Sequence, residues 1–309
     1  MNKLIVIVGP TASGKTELAT KLANFFSGEI VSADSRQIYE GMDIGTNKIK
    51  GKKIKKGKET VIIYKGIPHY LIDILKPNQE FTVAQFKIRA IKIIKDIQKR
   101  KKIPFLVGGT GLYIKAVVDN LKIPKVKPDK KLRKKLEKEI EKRGLNWAWK
   151  KLLKLDPEAK EFVQKDNPRR IIRALEVCLK TKKKFSELRK VGKPLFDTLQ
   201  LGIKISRKSL YKRINQRVEK MIKAGLIDEV KNLLKKYPPT LPSLTGIGYK
   251  EIISYLNGKI SLKEAIEEIK KNTRRFARRQ ITWFKKDKRI YWIKNYQEAK
   301  KIIKNFLSS

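Results

Sequence analysis

Four residues near the start of the chain have the types and the spacing needed to hold a phosphate group. Gly9, Gly14, Lys15 and Thr16 match the pattern Gly-x-x-x-x-Gly-Lys-Ser/Thr in "GPTASGKT". In this motif, backbone N–H groups turn inward around an anion, the lysine adds a positive charge, and the hydroxyl is placed to ligate Mg²⁺. The pattern predicts a phosphate-binding loop and leaves the identity of the phosphate open.

Two other segments are expected to bring polar side chains to the same place. "EIVSADSRQIY" carries Asp34 where the chain leaves a predicted strand, and "FLVGGTGLYIKAVV" carries Thr110 in a second glycine turn. Ligands of open parallel sheets collect beyond the carboxyl ends of the strands, so both residues are expected near the phosphate loop. Asp34 is compatible with a magnesium ligand or a capping residue, and Thr110 equally with a plain helix N-cap.

The elements that must position these residues follow from the hydrophobic pattern. The first third of the chain alternates strand-like and helix-like segments, which predicts βαβ units and a parallel sheet. From residue 121 to 198 the segments are amphipathic and highly charged, and "TLQLGIKIS" then returns to a strand pattern. We therefore predict an α/β fold in which a P-loop parallel sheet is flanked by helices. Residues 1–120 and 199–309 form the core, the latter with C-terminal basic helices, and residues 121–198 form an inserted helical domain.

One stretch does not fit the alternation of strands and helices. Residues 47–66, "NKIKGKKIKKGKETVIIYKG", are rich in lysine and glycine. We predict a surface loop or a β-excursion here.

Composition restricts the class of protein. The 309 residues include 76 Lys and Arg against 30 Asp and Glu, for a net charge of +46, which indicates a nucleic-acid partner. A single cysteine, Cys178, and a single histidine, His69, exclude an internal disulfide and a Cys/His zinc site. No segment approaches the roughly 18 apolar residues of a membrane span, and no signal peptide is recognisable. We therefore expect a cytoplasmic protein without a membrane association, and a monomer by default.

Basic residues are grouped on predicted helices. In "DNPRRIIRALEV", Asn167 and Pro168 have the types of an N-cap and a first helical residue, so Arg169 and Arg170 fall in the first turn, and Arg173 shares their face. Cations there oppose the helix dipole. The placement is explained by an anion from a partner, or by a solvated helix end that tolerates a small penalty.

A second basic helix is predicted from "RKSLYKRINQRVEK". Arg213 and Arg217 lie four residues apart and therefore on one side of it. Either side chain is suited to RNA phosphate or to the phosphate held by the glycine loop.

Seven blocks of the sequence, taken together and in this order, resemble the bacterial tRNA dimethylallyltransferases, also called tRNA isopentenyltransferases. They are "GPTASGKTELA", "SADSRQIYEGMDIGT", "PHYLIDI", "GGTGLYIKAV", "RRIIRALEV", "GIGYKEI" and "RRQITWF". The resemblance implies that the P-loop binds the pyrophosphate of dimethylallyl diphosphate. It also implies that N6 of adenine 37, beside the tRNA anticodon, attacks the allylic C1 after the base has been extruded into a channel.

The resemblance also implies roles for individual residues. Asp34 is the expected proton acceptor, with Lys15 and Thr110 stabilising the leaving diphosphate and Thr16 binding Mg²⁺. The diphosphate is expected to contact Gly9, Pro10, Thr11, Ala12, Ser13, Gly14, Lys15, Thr16 and Arg217. The anticodon stem-loop of tRNA is expected to contact Ser35, Arg36, Gln37, Arg169, Arg170, Ile171, Ile172, Arg173 and Arg213.

Two other functions are compatible with a phosphate loop. One is a P-loop kinase of a nucleoside or small metabolite, which would consume ATP and leave the large positive charge without a use. The other is an NTP-dependent RNA-binding protein, in which Thr16 and Asp34 would act as a nucleotide switch.

Overall fold

The chain folds into two compact units. A computed structural model describes residues 2–57, 59–124, 126–188 and 190–309. The first unit contains the residues up to Val118 together with Leu195–Ser309, and the second is Asp119–Pro194. The insertion thus begins at 119 rather than 121 and ends at 194 rather than 198. The second difference has a clear cause, because the apolar residues Leu195 and Phe196 already pack on a core of the first unit.

The first unit is built on a sheet that is parallel except at one edge. Within the described residues it has eight strands in the order β3-β4-β5-β2-β6-β1-β7-β8. The strands are β1 Lys3–Val8, β2 Gly28–Ala33, β3 Lys52–Lys56, β4 Glu59–Tyr64, β5 Ile67–Tyr70, β6 Ile103–Gly108, β7 Asp197–Ile203 and β8 Ile290–Ile293. All pairs from β5 to β8 in this order are parallel, so the predicted α/β fold with a parallel sheet flanked by helices is confirmed.

Helices connect the strands and form the inserted unit. They are α1 Lys15–Phe25, α2 Val83–Lys99, α3 Gly111–Val118, α4 Lys130–Arg143, α5 Leu145–Leu155, α6 Pro168–Thr181, α7 Phe185–Leu188, α8 Arg207–Lys223, α9 Leu226–Leu234, α10 Tyr249–Leu256, α11 Leu262–Lys285 and α12 Tyr296–Ser308. No helix in the part of the chain that the structure describes is long and apolar enough to span a membrane.

Strand β1 shows why the sheet is covered on both faces. Its residues from Leu4 to Val8 are all buried, as expected for a strand of a parallel sheet. Because side chains alternate along a strand, Leu4 and Val6 pack in one apolar cluster with α2 and α3, whereas Ile5 and Ile7 pack in another with α1 and α12.

The lysine-rich stretch forms a β-excursion. Strands β3 and β4 pair as an antiparallel hairpin, with Lys52 opposite Ile63, and β4 continues antiparallel to β5. Strand β3 is the exposed edge of the sheet, and its lysines hinder edge-to-edge pairing with another chain. One residue of the predicted segment, Lys58, lies outside the described residues.

A further apolar cluster joins the C-terminal helices to the segment that follows β2. Ile38 and Met42 pack there with residues of α8, α9, α10 and α11, including the fully buried Tyr249. These helices are thereby held against the loops at the carboxyl ends of the strands.

The inserted unit is helical, with its own apolar core. Leu136 of α4, Leu152 of α5 and Leu175 of α6 are buried in it. Glu176, fully buried on α6, accepts hydrogen bonds from Arg133 and Arg173 and from the backbone N–H of Asp129, so its charge is neutralised locally.

Candidate active site

The strand order brings three polar loops to one edge of the sheet. Strand β6 lies between β2 and β1, and all three run in the same direction. The glycine loop after β1, Asp34 after β2 and the second glycine turn after β6 therefore meet beyond their carboxyl ends.

The glycine loop has the backbone of a phosphate cradle. It leaves β1 at Gly9 and enters α1 at Lys15, with Ala12 and Gly14 at φ of 63° and 88°. These left-handed conformations curve the chain, and the amides in the first turn of α1 have no partner within the helix. A Cβ on Gly9 would lie 2.8 Å from Oγ of the buried Ser13, so that side chain would have to move to admit a larger residue there. That Ser13 hydroxyl is buried and, among the described residues, has no hydrogen-bond partner.

A cavity of about 1020 Å³ opens at this loop. It is lined by Lys15, Thr16 and Asp34 together with Arg213 and Arg217 of α8. Apolar side chains complete part of its wall, from Ala12, Ile44, Ile62, Val107 and Met221. A cavity with a cationic cradle, a carboxylate and an apolar wall is suited to a ligand with a phosphate group and a hydrocarbon part.

Lys15 extends back over the glycine loop, where its Nζ lies 3.5 Å from the carbonyl oxygen of Pro10. Burial lowers the pKa of Lys15 to about 8, Asp34 opposes this shift, and Arg217 adds to it. The amine is thus still mostly charged at neutral pH but titrates within an accessible range.

Arg213 and Arg217 of α8 both reach the glycine loop. Arg217 donates from Nη1 to the hydroxyl of Thr11 at 2.9 Å and from Nη2 to the carbonyl of Thr46 at 3.3 Å. Burial lowers the pKa of Arg217 to about 10, opposed by Asp34. Arg213 donates to the carbonyl of Ser13 at 3.3 Å. Sequence analysis assigned Arg213 to tRNA and Arg217 to the diphosphate, whereas the folded chain brings both side chains to the loop.

Asp34 caps a turn while lining the cavity. Its Oδ1 accepts hydrogen bonds from the backbone N–H groups of Arg36 at 2.9 Å and Gln37 at 3.4 Å. Asp34 therefore has the capping role considered from the sequence, and within the described residues the cap uses only one of the two carboxylate oxygens. The turn fixes the orientation of the carboxylate beside Lys15 and Arg217.

Thr110 is tied to the residue that follows Asp34. Its hydroxyl accepts from the backbone N–H of Ser35 at 3.1 Å and donates to the Ser35 hydroxyl at 3.4 Å. The helix that follows begins at Gly111, so Thr110 stands at its N-terminus, but its hydroxyl is directed to Ser35. Its contact with a diphosphate stays a prediction.

Arg36 and Gln37 are held by hydrogen bonds to backbone carbonyls. Arg36 donates from Nη1 to the carbonyls of Pro242 at 2.7 Å and Ser243 at 2.9 Å. Gln37 donates from Nε2 to the carbonyl of Thr46 at 3.2 Å. Base contacts by these side chains stay predictions, and they would require at least part of these bonds to be exchanged.

The predicted RNA-binding residues of α6 divide into three groups. Arg169 and Arg170 are exposed, and Arg170 donates to Gln164 at 2.9 Å. Ile171 and Ile172 are buried in the core of the inserted unit, so their assignment to tRNA is corrected: their side chains hold the helix in place. Arg173 donates to Glu176 at 2.5 Å and to the carbonyl of Val126 at 3.0 Å. These two bonds use both terminal nitrogens of its guanidinium, which limits the contact that it can make with tRNA.

Two side chains that sequence analysis did not identify organise the loops. Glu229 accepts from the backbone N–H groups of Asp43, Ile44 and Gly45 at 2.6–3.0 Å and from the Tyr249 hydroxyl at 2.7 Å. Burial and the neighbouring Glu229 raise the pKa of Tyr249, which keeps it a hydrogen-bond donor. The only signal in the sequence was the place of Tyr249 in the block "GIGYKEI".

The second such residue is Gln280 of α11. Its Oε1 accepts from the backbone N–H of Thr11 at 2.8 Å, and its Nε2 donates to the carbonyl of Gly109 at 2.9 Å. It therefore touches both glycine turns. The sequence contained Gln280 within the block "RRQITWF" but no indication of either partner.

The side chains at the cavity fit Mg²⁺. Thr16 supplies a hydroxyl at the cavity, and Mg²⁺ is typically held by one or two protein oxygens together with substrate phosphates. No cluster of three or more His, Cys, Asp or Glu suited to a metal occurs in residues 2–57, 59–124, 126–188 and 190–309. The donor set thus suits an ion that arrives with a phosphorylated ligand.

The titration of Lys15 gives a prediction for pH dependence. Only the protonated amine attracts a phosphate anion, so raising the pH through about 8 should weaken binding of inorganic diphosphate to the free protein. Isothermal titration calorimetry between pH 6.5 and 9.5 measures this. In Lys15→Arg the charge persists throughout, and the loss above pH 8 should disappear. A wild-type affinity that is constant up to pH 9.5 would contradict the assignment of Lys15.

The chain is similar to one protein family over most of its length. A model described as IPP transferase matches residues 37–287. The tRNA dimethylallyltransferase of Thermoanaerobacter sp. (strain X514) is 46% identical over 317 residues, covering 99% of this chain and 98% of that protein. The enzyme of the same name from Staphylococcus epidermidis is 43% identical over 295 residues, covering 94% and 86%. The alignment with the Thermoanaerobacter protein spans 99% of this chain and so includes the glycine loop, which begins before the family model.

Solved structures give the same result. The full-length tRNA isopentenylpyrophosphate transferase of Bacillus halodurans matches with a TM-score of 0.71 at 38% identity, covering 100% of this chain and 96% of that one. A eukaryotic dimethylallyltransferase acting on tRNA matches with a TM-score of 0.72 at 30% identity, covering 92% and 70%. By its family model, its full-length relatives and its fold, this chain belongs to the IPP transferase family.

Proposed function

We propose that this protein transfers the dimethylallyl group of dimethylallyl diphosphate to N6 of adenine 37 in tRNA and releases diphosphate. The observation that carries the proposal is the cavity in which the Asp34 carboxylate lies with Lys15 and Arg217 at a P-loop. A carboxylate next to a diphosphate cradle is what the substitution at an allylic carbon needs. The family membership and the names of the relatives support the same reaction.

The reaction balances with the groups at hand. The bond from C1 to the bridging oxygen breaks, and its electron pair leaves with the diphosphate. The lone pair of N6 forms the new bond to C1, and the N6 proton passes to the free oxygen of Asp34. Since the amine becomes acidic only as that bond forms, an ordinary carboxylate is a sufficient base. No phosphoryl group is transferred.

The glycine loop and α8 are proposed to stabilise the negative charge that develops on the leaving diphosphate. The N–H groups at the start of α1 and the Lys15 and Arg217 cations lie where negative charge builds on the leaving group. Thr16 would hold Mg²⁺, which when bound would neutralise part of the diphosphate charge. Thr110 is proposed to act from the neighbouring turn, and the apolar wall at Ile44 and Met221 suits the dimethylallyl group.

The tRNA is proposed to bind through its anticodon stem-loop. A net charge of +46 provides the long-range attraction for a polyanion, and the exposed Arg169 and Arg170 are placed for phosphate contacts. The target base must leave its stack, which costs a few kcal/mol and is offset by contacts elsewhere on the loop. Ser35, Arg36 and Gln37, next to Asp34, are proposed to contact neighbouring bases.

We propose that the protein acts as a monomer, and in the cytoplasm where its tRNA substrate is found. Equilibrium sedimentation of the active protein tests the first statement. A mass that doubles under assay conditions would contradict it.

The reaction is tested with two labelled donors. Unmodified tRNA is incubated with the protein and either labelled dimethylallyl diphosphate or ATP labelled on the γ-phosphate. We expect label in tRNA only from the first, with the mass of one adenosine increased by one dimethylallyl group. ATP hydrolysis with no prenyl transfer would favour the kinase or the nucleotide-switched RNA-binding protein.

A further inference from the structure

Gln280 occupies a position between the two glycine turns of the active site. It lies on α11, about 170 residues after Gly109 in the sequence, and is 7% exposed. Its side-chain amide makes one hydrogen bond to each turn, to the N–H of Thr11 and to the carbonyl of Gly109. The two bonds use one acceptor and one donor, so they define the orientation of the amide without ambiguity.

On the P-loop side, Gln280 sets the direction of a peptide group. The N–H of Thr11 is directed to Gln280, while the Thr11 hydroxyl accepts from Arg217 at 2.9 Å. Thr11 is therefore held by two side chains from different helices. Its peptide plane sets the course of the loop from Pro10 to Gly14 and thus the directions of the following amides toward the anion.

On the other side, Gln280 supports the turn that carries Thr110. A Cβ on Gly109 would lie 2.3 Å from Gln280 Nε2, so the backbone passes directly against the amide. The next residue, Thr110, accepts from the N–H of Ser35 at 3.1 Å, and Ser35 follows Asp34. A short series of bonded groups thus runs from the P-loop through Gln280 and Thr110 to the turn of Asp34.

We propose that Gln280 is a positioning residue that fixes the diphosphate cradle relative to the Asp34 turn. The inference rests on the proposed transfer reaction, in which C1 of the donor must lie in line with the N6 whose proton Asp34 takes. Displacements of about 1 Å between reacting groups can lower a rate about 100-fold, so a bridge between the two turns is important for the chemical step. Gln280 itself does not line the cavity.

The side-chain chemistry requires glutamine. Glutamate could accept from the Thr11 N–H but could not donate to Gly109, and it would add negative charge beside the leaving group. Leucine and methionine fill a similar volume but satisfy neither backbone group, and an unpaired buried polar group is unfavourable. Asparagine is one methylene too short to reach both turns.

The test compares Gln280→Met and Gln280→Glu with a matched control. Gln200 of β7 is also buried, at 3% exposed, and its amide lies 3.5 Å from Asp287 outside the cavity. Gln200→Met therefore removes a buried amide without touching either glycine turn. For each protein we measure the dissociation constant for inorganic diphosphate, tRNA affinity, the melting temperature, and kcat at saturating donor and tRNA.

We expect both Gln280 variants to lose roughly 10- to 100-fold in kcat and to bind diphosphate more weakly, with tRNA affinity within about twofold of wild type. Gln200→Met should match wild type in kcat even if its melting temperature falls. The inference is overturned if the Gln280 variants keep wild-type kcat and diphosphate affinity, or if Gln200→Met loses both to the same extent.

Failure of the proposed reaction would give a different result. If wild-type protein transfers no dimethylallyl group, the transfer proposal falls, and the diphosphate measurement alone then decides whether Gln280 shapes the cradle. If Gln280→Met does not fold, Gln280→Glu, which preserves the shape and the bond from Thr11, provides the same comparison.

Discussion

Replacing Asp34 by asparagine is expected to lower kcat for dimethylallyl transfer roughly 100- to 10,000-fold, the range typical of a lost general base. The carboxamide preserves an oxygen that can accept from the N–H groups of Arg36 and Gln37, so the turn should persist. It cannot take the N6 proton. Single-turnover transfer of labelled donor to tRNA measures the loss, and filter binding measures tRNA affinity, which should stay within about threefold of wild type.

Two comparisons separate the base from the cap. Asp34→Ala also removes the turn acceptor and should cost about 1 kcal/mol of stability in addition to activity. Asp96→Asn makes the same change of charge on the exposed face of α2, where Asp96 pairs with Arg100, and should leave transfer unchanged. Near-normal transfer by Asp34→Asn would exclude this carboxylate as the base, and collapse of tRNA binding would reassign it to an RNA contact.

The electrostatic coupling gives an independent check on the same variant. Because the Asp34 charge raises the pKa of Lys15, its removal should lower that pKa further. Diphosphate binding by Asp34→Asn should therefore be lost at a lower pH than in wild type. An unchanged titration would mean that the two groups are not coupled in solution.

The second large effect is expected for Arg217→Gln, which should reduce kcat/KM for the donor roughly 100- to 1,000-fold, as for a missing transition-state donor. The guanidinium joins Thr11 of the glycine loop to Thr46, and Arg217 lines the cavity in which the diphosphate is proposed to bind. Arg217→Lys keeps the charge but cannot form both bonds, so its loss should be intermediate.

A matched control lies on the same helix. Arg207, in the first turn of α8, stacks on Tyr211 and does not line the cavity, so Arg207→Gln should preserve donor kinetics. Steady-state kinetics at saturating tRNA measure all three variants. A fall in tRNA affinity with unchanged donor kinetics would place Arg217 in the RNA site and would leave Arg213, which also reaches the loop, as the diphosphate ligand.

Local patterns in the sequence were sufficient for the fold class and for the phosphate loop. A run of buried aliphatic residues, a glycine turn and an amphipathic helix are all contained within residues 3–25, and the geometry of such a unit depends on near neighbours. The insertion was equally visible, because charged amphipathic helices differ in composition from buried parallel strands. Its end was misplaced because Leu195 and Phe196 join a core that only the folded chain assembles.

Burial and partner choice were decided by the tertiary structure. From the sequence of α6 alone, all five residues from 169 to 173 are equally good candidates for contact with tRNA. In the folded chain, Ile171 and Ile172 face the core and Arg173 is bound to Glu176. The two bonds of Gln280 span 269 and 171 positions, and the bonds from Glu229 to the 43–45 loop span more than 180. The sequence by itself determined which chemistry was present, since spacing within one turn or one helix is set locally. Only the packing of α8, α9 and α11 against the strand ends decided which side chains position these groups. No short-range pattern in the sequence specifies a hydrogen-bond partner so far along the chain.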